Sequence, residues 1–372
     1  MRAVRVLGRV ASAGVLLLAS GCSLLQPGFG PGSSGAEAPE VSIAFDGAPQ
    51  TAHVFEITDP EQSVYGEVQV IEARDADTFS DIARSYGLGY DELVHANPEV
   101  DPWLPGEGTR VVLPTRFVLP DAPREGIVLN IAAKRLFAFQ PATEDETATV
   151  TSYPVGIGRV GWATPTGSSE VIAKATDPAW YVPASVRAEH KAMGDPLPAI
   201  VPPGPDNPLG RHVLKLDMPG YLLHGTNQPY GVGMRVSHGC VRLYPEDIEV
   251  LYGVTGLGTR VTIVNEPVSV GARDGVTYVV VHPQLEDDER AWQDLAAEGL
   301  AAFEQPDAEL TALVADGVAR AVSVDDPLQL RYVSNVAAPP ADAPDRETVA
   351  KLLDELMQEA EDEVGTEPEV SN

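Results

Sequence analysis

Residues 221–248 read YLLHGTNQPYGVGMRVSHGCVRLYPEDI. The apolar run Tyr221-Leu222-Leu223 ends in His224, and a thiol, Cys240, lies 16 residues beyond that imidazole and 2 beyond His238. The run predicts a short rigid strand, and in an extended Ser237-His238-Gly239-Cys240 segment residues two apart share a face. Pro245, at a favoured first helical position, predicts a helix through Asp247, Ile248 and Leu251. A free thiol, with a pKa of about 8.5, is only a few per cent thiolate at neutral pH, so a nucleophilic cysteine needs an imidazole to take its proton. Gly225 and Gly239 let backbone approach a reacting carbonyl. The amides of Gly239 and Cys240 are candidates for holding an oxyanion, and Arg242 for receiving a carboxylate. The pair alone leaves two readings open, a catalytic dyad and the commoner buried cysteine beside a satisfied histidine.

Outward from this stretch the pattern is of strands. Ile127–Ile131 and Arg135–Phe139 flank Ala132-Ala133-Lys134 as a hairpin, and further β-like runs cover Thr147–Val155, Val171–Lys174, Val213–Leu216, Tyr221–His224 and Arg260–Val264. Proline clusters such as PLPAIVPPGPDNPLG, from Pro196, separate them. This spacing predicts an α+β, mainly β fold, a β-sandwich or open barrel with one or two helices. Beyond Pro267 a strand pair turns at Asp274-Gly275, and an acidic stretch ends in a segment from Asp345 with Val349, Leu352, Leu353, Leu356, Met357 and Ala360 on one helical face.

Upstream, residues 67–114 predict a β-α-α-β unit: a strand over Val68–Ile71, a helix from Thr78 to Tyr86, a helix over Tyr90–Ala96 and a strand over Arg110–Leu113. Thr78 with Asp81 three residues on is an N-terminal capping pair, Gly87 a stop, and Asn97-Pro98 ends the second helix. Before it, Arg2, Arg5 and Arg9 precede the 12-residue apolar run Val10–Gly21. That run is shorter than the roughly 20 residues a membrane span needs and suits a secretory signal. Leu18-Ala19-Ser20-Gly21-Cys22 resembles a bacterial lipobox, with Cys22 as the lipidated residue and a Gly/Ser/Pro-rich tether after it.

The chain of 372 residues has a formal net charge of -30, which argues against nucleic acid or an anionic lipid surface as its main partner. From Glu286 to Asn372 there are 23 acidic and 5 basic residues, so much of that charge is local. There are 2 cysteines; if Cys22 is acylated, Cys240 is left without a partner, in a compartment where thiols usually pair.

His224-Gly225-Thr226 followed by Ser237-His238-Gly239-Cys240-Val241-Arg242 resembles the signature of the YkuD-type L,D-transpeptidases. DADTFSDIARSYGLGYDELVHANP, from Asp75, resembles a LysM module. With YPVGIGRVGWATPTG and LPAIVPPGPDNPLGRHVL the likeness extends from Glu67 to Pro283, to the periplasmic enzymes of Gram-negative bacteria. The resemblance implies a peptidoglycan-binding module over 67–114 and a catalytic domain over 125–266; the signal over 1–21, the tether over 22–66 and the acidic extension over 267–372 are read from the residues themselves, the lipobox and the acidic tail being the parts the resemblance matches poorly. It implies Cys240 as nucleophile and His224, oriented by the Gly225 carbonyl, as proton acceptor, with Gly225, Ser237, His238, Gly239 and Arg242 in support. His238 would shape the oxyanion side or bond nearby backbone. Cys240 would attack the diaminopimelate carbonyl of a tetrapeptide stem, release D-alanine, and pass the acyl group to an amine. That amine is a second diaminopimelate or the C-terminal lysine of Braun lipoprotein. The partners implied are peptidoglycan glycan and stem peptides and, through Cys22, a membrane, the outer membrane by preference, on its periplasmic side. No cofactor or metal is implied, and a zinc site of His224, His238 and Cys240 lacks an evident fourth ligand. The alternative from another class is a wall-binding lipoprotein scaffold with an inactive transferase domain.

Overall fold

The computed structural model of the chain describes residues 52–274, 276–301 and 321–323. The signal, Cys22, most of the tether and the helix expected from Asp345 lie outside these residues.

The architecture is mainly β. Its centre is the hairpin of β4 (Ile127–Asn130) and β5 (Arg135–Gln140), after the earlier strands β1 (His53–Glu56), β2 (Gln69–Glu72) and β3 (Arg110–Leu113). The hairpin turns where expected, with Lys134 at φ 50°. β6 (Thr149–Pro154), β7 (Gly167–Thr176), β8 (His212–Leu216), β9 (Leu222–His224), β10 (Val241–Arg242) and β11 (Arg260–Val264) follow. With β1 they complete a nine-stranded sheet in the order β1-β6-β5-β4-β11-β7-β8-β9-β10. β4–β11 and β9–β10 pair in parallel.

One strand explains why the sheet curls. Gly167–Glu170 of β7 pair with β11, whereas Val171–Thr176 pair with β8 across a register shift between Val171 and Ala173. Such an irregularity bends a strand, so the two halves of the sheet face each other over one core. Ile127, Leu129, Leu136, Ala138 and Tyr153 from one half meet Leu214, Leu216, Leu223 and Val241 from the other. Helix α4 (Pro245–Val254), starting at Pro245 as expected, adds Ile248 and Leu251.

The opposite face of the same strands is also buried. Strand alternation turns Val128, Phe137, Phe139 and Val150 outward, and the β-α-α-β unit covers them. That unit forms as read: β2 and β3 pair antiparallel and enclose α1 (Phe79–Ser85) and α2 (Tyr90–Ala96). The Thr78 hydroxyl and the Asp81 carboxylate cap α1 reciprocally, and Gly87 at φ 61° follows it. Its apolar side chains, among them Ile71, Phe79, Ile82, Leu93, Val111 and Leu113, join the four outward residues in one cluster. Burying each such side chain contributes about 1.5–3 kcal/mol. Residues 67–114 and the sheet thus share a core.

The flanking segments also pack on this body. β1 pairs with β6 (His53↔Ser152 to Glu56↔Thr149), and Val64–Tyr65 pair with Phe117–Val118, so part of the expected 22–66 tether is built into the body. At the other end β12 (Val268–Arg273) and β13 (Val276–Val281) form the expected hairpin at Asp274. α5 (Trp292–Leu300) packs Ala296 and Leu300 on Val268, Val279 and Val281. Tyr278 and Val280 meet Val64 and Val118. The start of the expected 267–372 extension is thus folded. Between β7 and β8 an excursion over 177–211 carries an unexpected helix, α3 (Ala184–Ala192), and the short pair Trp180–Tyr181 with Ile200–Val201.

Candidate active site

The parallel pairing of β9 and β10 sets the site. Leu223 lies beside Val241 and His224 beside Arg242. Leu223 and Val241 point into the inner core, so His224, Arg242 and, one step before β10, Cys240 face the other way. One strand spacing and two residues separate His224 from Cys240, about 8 Å between Cα atoms.

His224 is buried, and its Nδ1 lies 2.6 Å from the Gly225 carbonyl. A carbonyl only accepts, so Nδ1 carries the proton and Nε2 the lone pair. Burial, then the Arg242 charge, brings its pKa down to about 4 against the opposing carbonyls of Gly225 and Leu209. The imidazole is neutral at physiological pH. Gly210, at φ 65°, is required beside it, since a Cβ there would come within 2.7 Å of the Thr226 amide nitrogen. Buried Asn207 shapes this wall, donating to Pro178 O at 2.9 Å and Pro202 O at 3.0 Å while accepting from the Leu209 amide at 2.9 Å.

Cys240 is half-buried, a free thiol with Sγ 3.5 Å from the Gly220 carbonyl. Burial pushes its pKa up, opposed by a backbone hydrogen bond from Leu222 and by Arg242. The thiol and the imidazole therefore both rest uncharged. Arg242 is desolvated in turn, its pKa lowered by burial. Among the described residues its Nε has no hydrogen-bond partner.

The turn before Cys240 is held from within and from beside. Ser237 Oγ donates to Cys240 O at 2.5 Å and accepts from the Gly239 amide at 3.2 Å. Gly239 sits at φ 101°, and Thr164 Oγ1 donates to its carbonyl at 2.8 Å. The Gly239 amide, expected to face an oxyanion, is thus engaged by Ser237, which leaves the Cys240 amide of the expected pair. His238 meets the Glu189 carboxylate of α3, Nε2 to Oε2 at 2.7 Å. Its ring stands edge-on to Trp162, centroids 4.8 Å apart. Glu189 and Asn207 belong to a proline-punctuated stretch whose spacing carried no signal for them. Among the described residues no cluster of three or more His, Cys, Asp or Glu is arranged to hold a metal ion, and no helix is long and apolar enough to cross a membrane.

Residues 124–263 match the profile of the YkuD L,D-transpeptidase catalytic domain. The probable L,D-transpeptidase YcfS of Escherichia coli K12 is 45% identical over 218 residues, covering 57% of this chain and 67% of the relative. The probable L,D-transpeptidase YbiS of the same strain is 41% identical over 232 residues, covering 61% and 74%. The solved catalytic domain of an Enterococcus faecium L,D-transpeptidase matches with 19% identity and a TM-score of 0.29, over 39% of this chain and 99% of that one. On the strength of the two Escherichia coli relatives, the chain belongs to the YkuD family of L,D-transpeptidases.

Proposed function

We propose that the protein is a peptidoglycan L,D-transpeptidase in which Cys240 is the nucleophile and His224 the base. The observation that carries this reading is the Nδ1–Gly225 carbonyl bond, which aims a neutral imidazole with its Nε2 lone pair toward the face that Cys240 shares. Cys240 attacks the diaminopimelate carbonyl of a tetrapeptide stem as its proton passes to His224. The resulting imidazolium returns that proton to the departing amine of D-alanine, leaving a thioester. An incoming amine then attacks the thioester, loses a proton to His224, and the thiol is restored. With thiol and imidazole both uncharged at rest, proton transfer accompanies attack and no standing ion pair is required. The Cys240 amide supports the oxyanion, and Arg242, desolvated and without an ion pair among the described residues, fits a substrate carboxylate.

Around this core, 67–114 acts as a LysM-like wall contact, presenting Trp103 and Leu104 to solvent. Cys22 carries a lipid that holds the enzyme at the periplasmic face of the outer membrane. Stable anchoring of that kind takes more than one acyl chain, so Cys22→Ala should move the protein to the soluble envelope fraction.

The decisive experiment incubates purified protein with tetrapeptide muropeptides and follows it by mass spectrometry. A Cys240-linked acyl adduct with loss of D-alanine is expected, absent in Cys240→Ala. Supplying diaminopimelate-bearing or lysine-terminated acceptors then separates 3-3 cross-linking from lipoprotein attachment. No adduct on the wild-type chain would return the scaffold reading.

A further inference from the structure

α3 buries one residue, Val186, yet it reaches the nucleophile turn. The contact is a three-membered cluster. Glu189 Oε1 pairs with Arg159 Nη2, Glu189 Oε2 lies 2.7 Å from His238 Nε2, and Arg159 Nη2 lies 3.1 Å from the same nitrogen. One nitrogen cannot donate to a carboxylate and accept from a guanidinium together. The carboxylate, closer and acceptor-only, takes the Nε2–H. Arg159 is itself bound to the turn through its backbone amide, which donates to Ser237 O at 3.0 Å, and its guanidinium lies 6.0 Å from the Trp162 ring centre.

We propose that Glu189 is a positioning residue for the transfer reaction, acting through His238. His238 stands two residues before Cys240, and its ring is fixed by Trp162 on one side and Glu189 on the other. Fixing the ring fixes the backbone that carries the Cys240 amide and thiol. The same bond seats the 177–211 excursion, whose Leu209 and Gly210 line His224. Both halves of the dyad are thereby held in register by one carboxylate. Arg159 keeps that carboxylate ionised, since its hydrogen bond, with that of His238, holds Glu189 below the usual carboxylate range. Charge-assisted bonds of this kind are strong enough to orient a ring.

This inference rests on the transpeptidase reading, and its test separates the two. Full-length wild type, Glu189→Ala and Glu189→Gln are compared by ¹⁵N NMR of the histidine rings, by iodoacetamide alkylation of Cys240, and by muropeptide transfer. Glu189 lies on a helix surface, where alanine is tolerated, and glutamine keeps an oxygen that accepts from Nε2–H. The expected result is loss of the His238 Nε2–H signal in Glu189→Ala and its retention in Glu189→Gln. Glu189→Ala should lose on the order of 10- to 100-fold in kcat with KM little changed, and Glu189→Gln should recover most of it. Equal behaviour of Glu189→Ala and wild type in the His238 signal and alkylation overturns the proposal, as does a glutamine variant no better than alanine. Absence of transfer by the wild type counts against the transpeptidase reading alone, because the NMR and alkylation arms need no substrate.

Discussion

The two sides of the curled sheet are built by different rules. Its outer face under the β-α-α-β unit is a broad apolar seam, where Val128, Phe137, Phe139 and Val150 share a cluster with Ile71, Phe79, Leu93 and Val111. Its far end, at β9 and β10, is a cradle of directed polar contacts: carbonyls facing His224, hydroxyls on both sides of Gly239, a carboxylate on His238. Apolar burial is non-directional and scales with area, so the seam holds two regions together without fixing any one atom. Hydrogen bonds fix direction, so the cradle specifies atoms and contributes little bulk stability. Substitutions in the cradle should therefore cost rate, and substitutions at the seam should cost stability.

The sharpest test on the cradle side is His224→Ala. A positioned base contributes about 10²–10⁴ in rate, and that loss in kcat is expected without a fall in melting temperature. The pH dependence follows from its pKa of about 4. The base form is present at every pH above that value, so the acid limb of turnover belongs near pH 4 rather than at the ordinary histidine value. Because burial raises the thiol pKa, alkylation of Cys240 should climb only at alkaline pH. A rapid, pH-independent alkylation near neutrality would show a standing thiolate and break the comparison at its catalytic end.

Those two sides differed in how far they could be read from the chain. The capping pair Thr78/Asp81, the helix over Tyr90–Ala96, the Lys134 turn and the His224–Cys240 spacing are local patterns, visible within a few residues. The shared core was not legible, because Phe137 and Phe139 alternate with Leu136 and Ala138 on β5, and a strand buried on both faces shows no polar side to say what covers it. Parallel pairing of β4 with β11 joins residues more than a hundred positions apart, which no local pattern encodes. α3 escaped because ASVRAEHKA buries a single residue and so carries almost no apolar stripe. Glu189 was hidden with it.

On the seam side, Gly233→Ala probes the backbone contact itself. Gly233, at φ 84°, lies against the start of α2, and an added Cβ would come within 2.3 Å of Gly89 Cα and Tyr90 N, both backbone atoms that cannot swing aside. Backbone strain with such a clash should cost about 1–3 kcal/mol. Gly108→Ala is the control, at φ 78° with nothing within 4 Å of its Cβ. It should show only the smaller left-handed backbone term, about 1–2 kcal/mol, in chemical denaturation. Equal losses would mean that the two regions do not press on each other at Gly233.

The seam should also show in the pH dependence of stability. His53 donates from Nε2 to the Tyr86 carbonyl at 2.8 Å, and burial, then Arg135, lowers its pKa to about 4. The unfolded histidine takes its proton below about 6.5, whereas the folded one waits until about 4. Between those values the unfolded state binds more protons, so stability is complete above pH 6.5 and falls as pH falls toward 4. Asp247 works in the opposite sense: burial, then Glu246, raises it to about 7, so its contribution shrinks as pH rises from 3.8 to 7. His53→Phe should flatten the acid side of the stability curve by up to one proton, and Asp247→Asn should steepen it. No change in slope with His53→Phe would place that imidazole in water rather than in the seam.

The smallest effect expected is at the ion pair that crosses from α1 to α4. Arg84 meets Glu246 with two nearly parallel bonds, Nε to Oε1 at 2.8 Å and Nη2 to Oε2 at 2.9 Å, and its guanidinium lies 5.8 Å from the Tyr244 ring centre. The geometry is bidentate, which favours a measurable contribution. Against that, the Arg84 side chain is 36% exposed and that of Glu246 21%, so water and salt weaken the attraction. Partly exposed pairs of this kind are worth roughly 0–1 kcal/mol, well below a single buried phenylalanine in the same seam. A double-mutant cycle with Arg84→Met and Glu246→Gln should therefore give a coupling of under about 1 kcal/mol, smaller still in high salt. Phe137→Ala should cost about 3–5 kcal/mol and be insensitive to salt. A coupling that rivals the phenylalanine loss would move the seam's stability from area to charge, and with it the distinction between the two sides of the sheet.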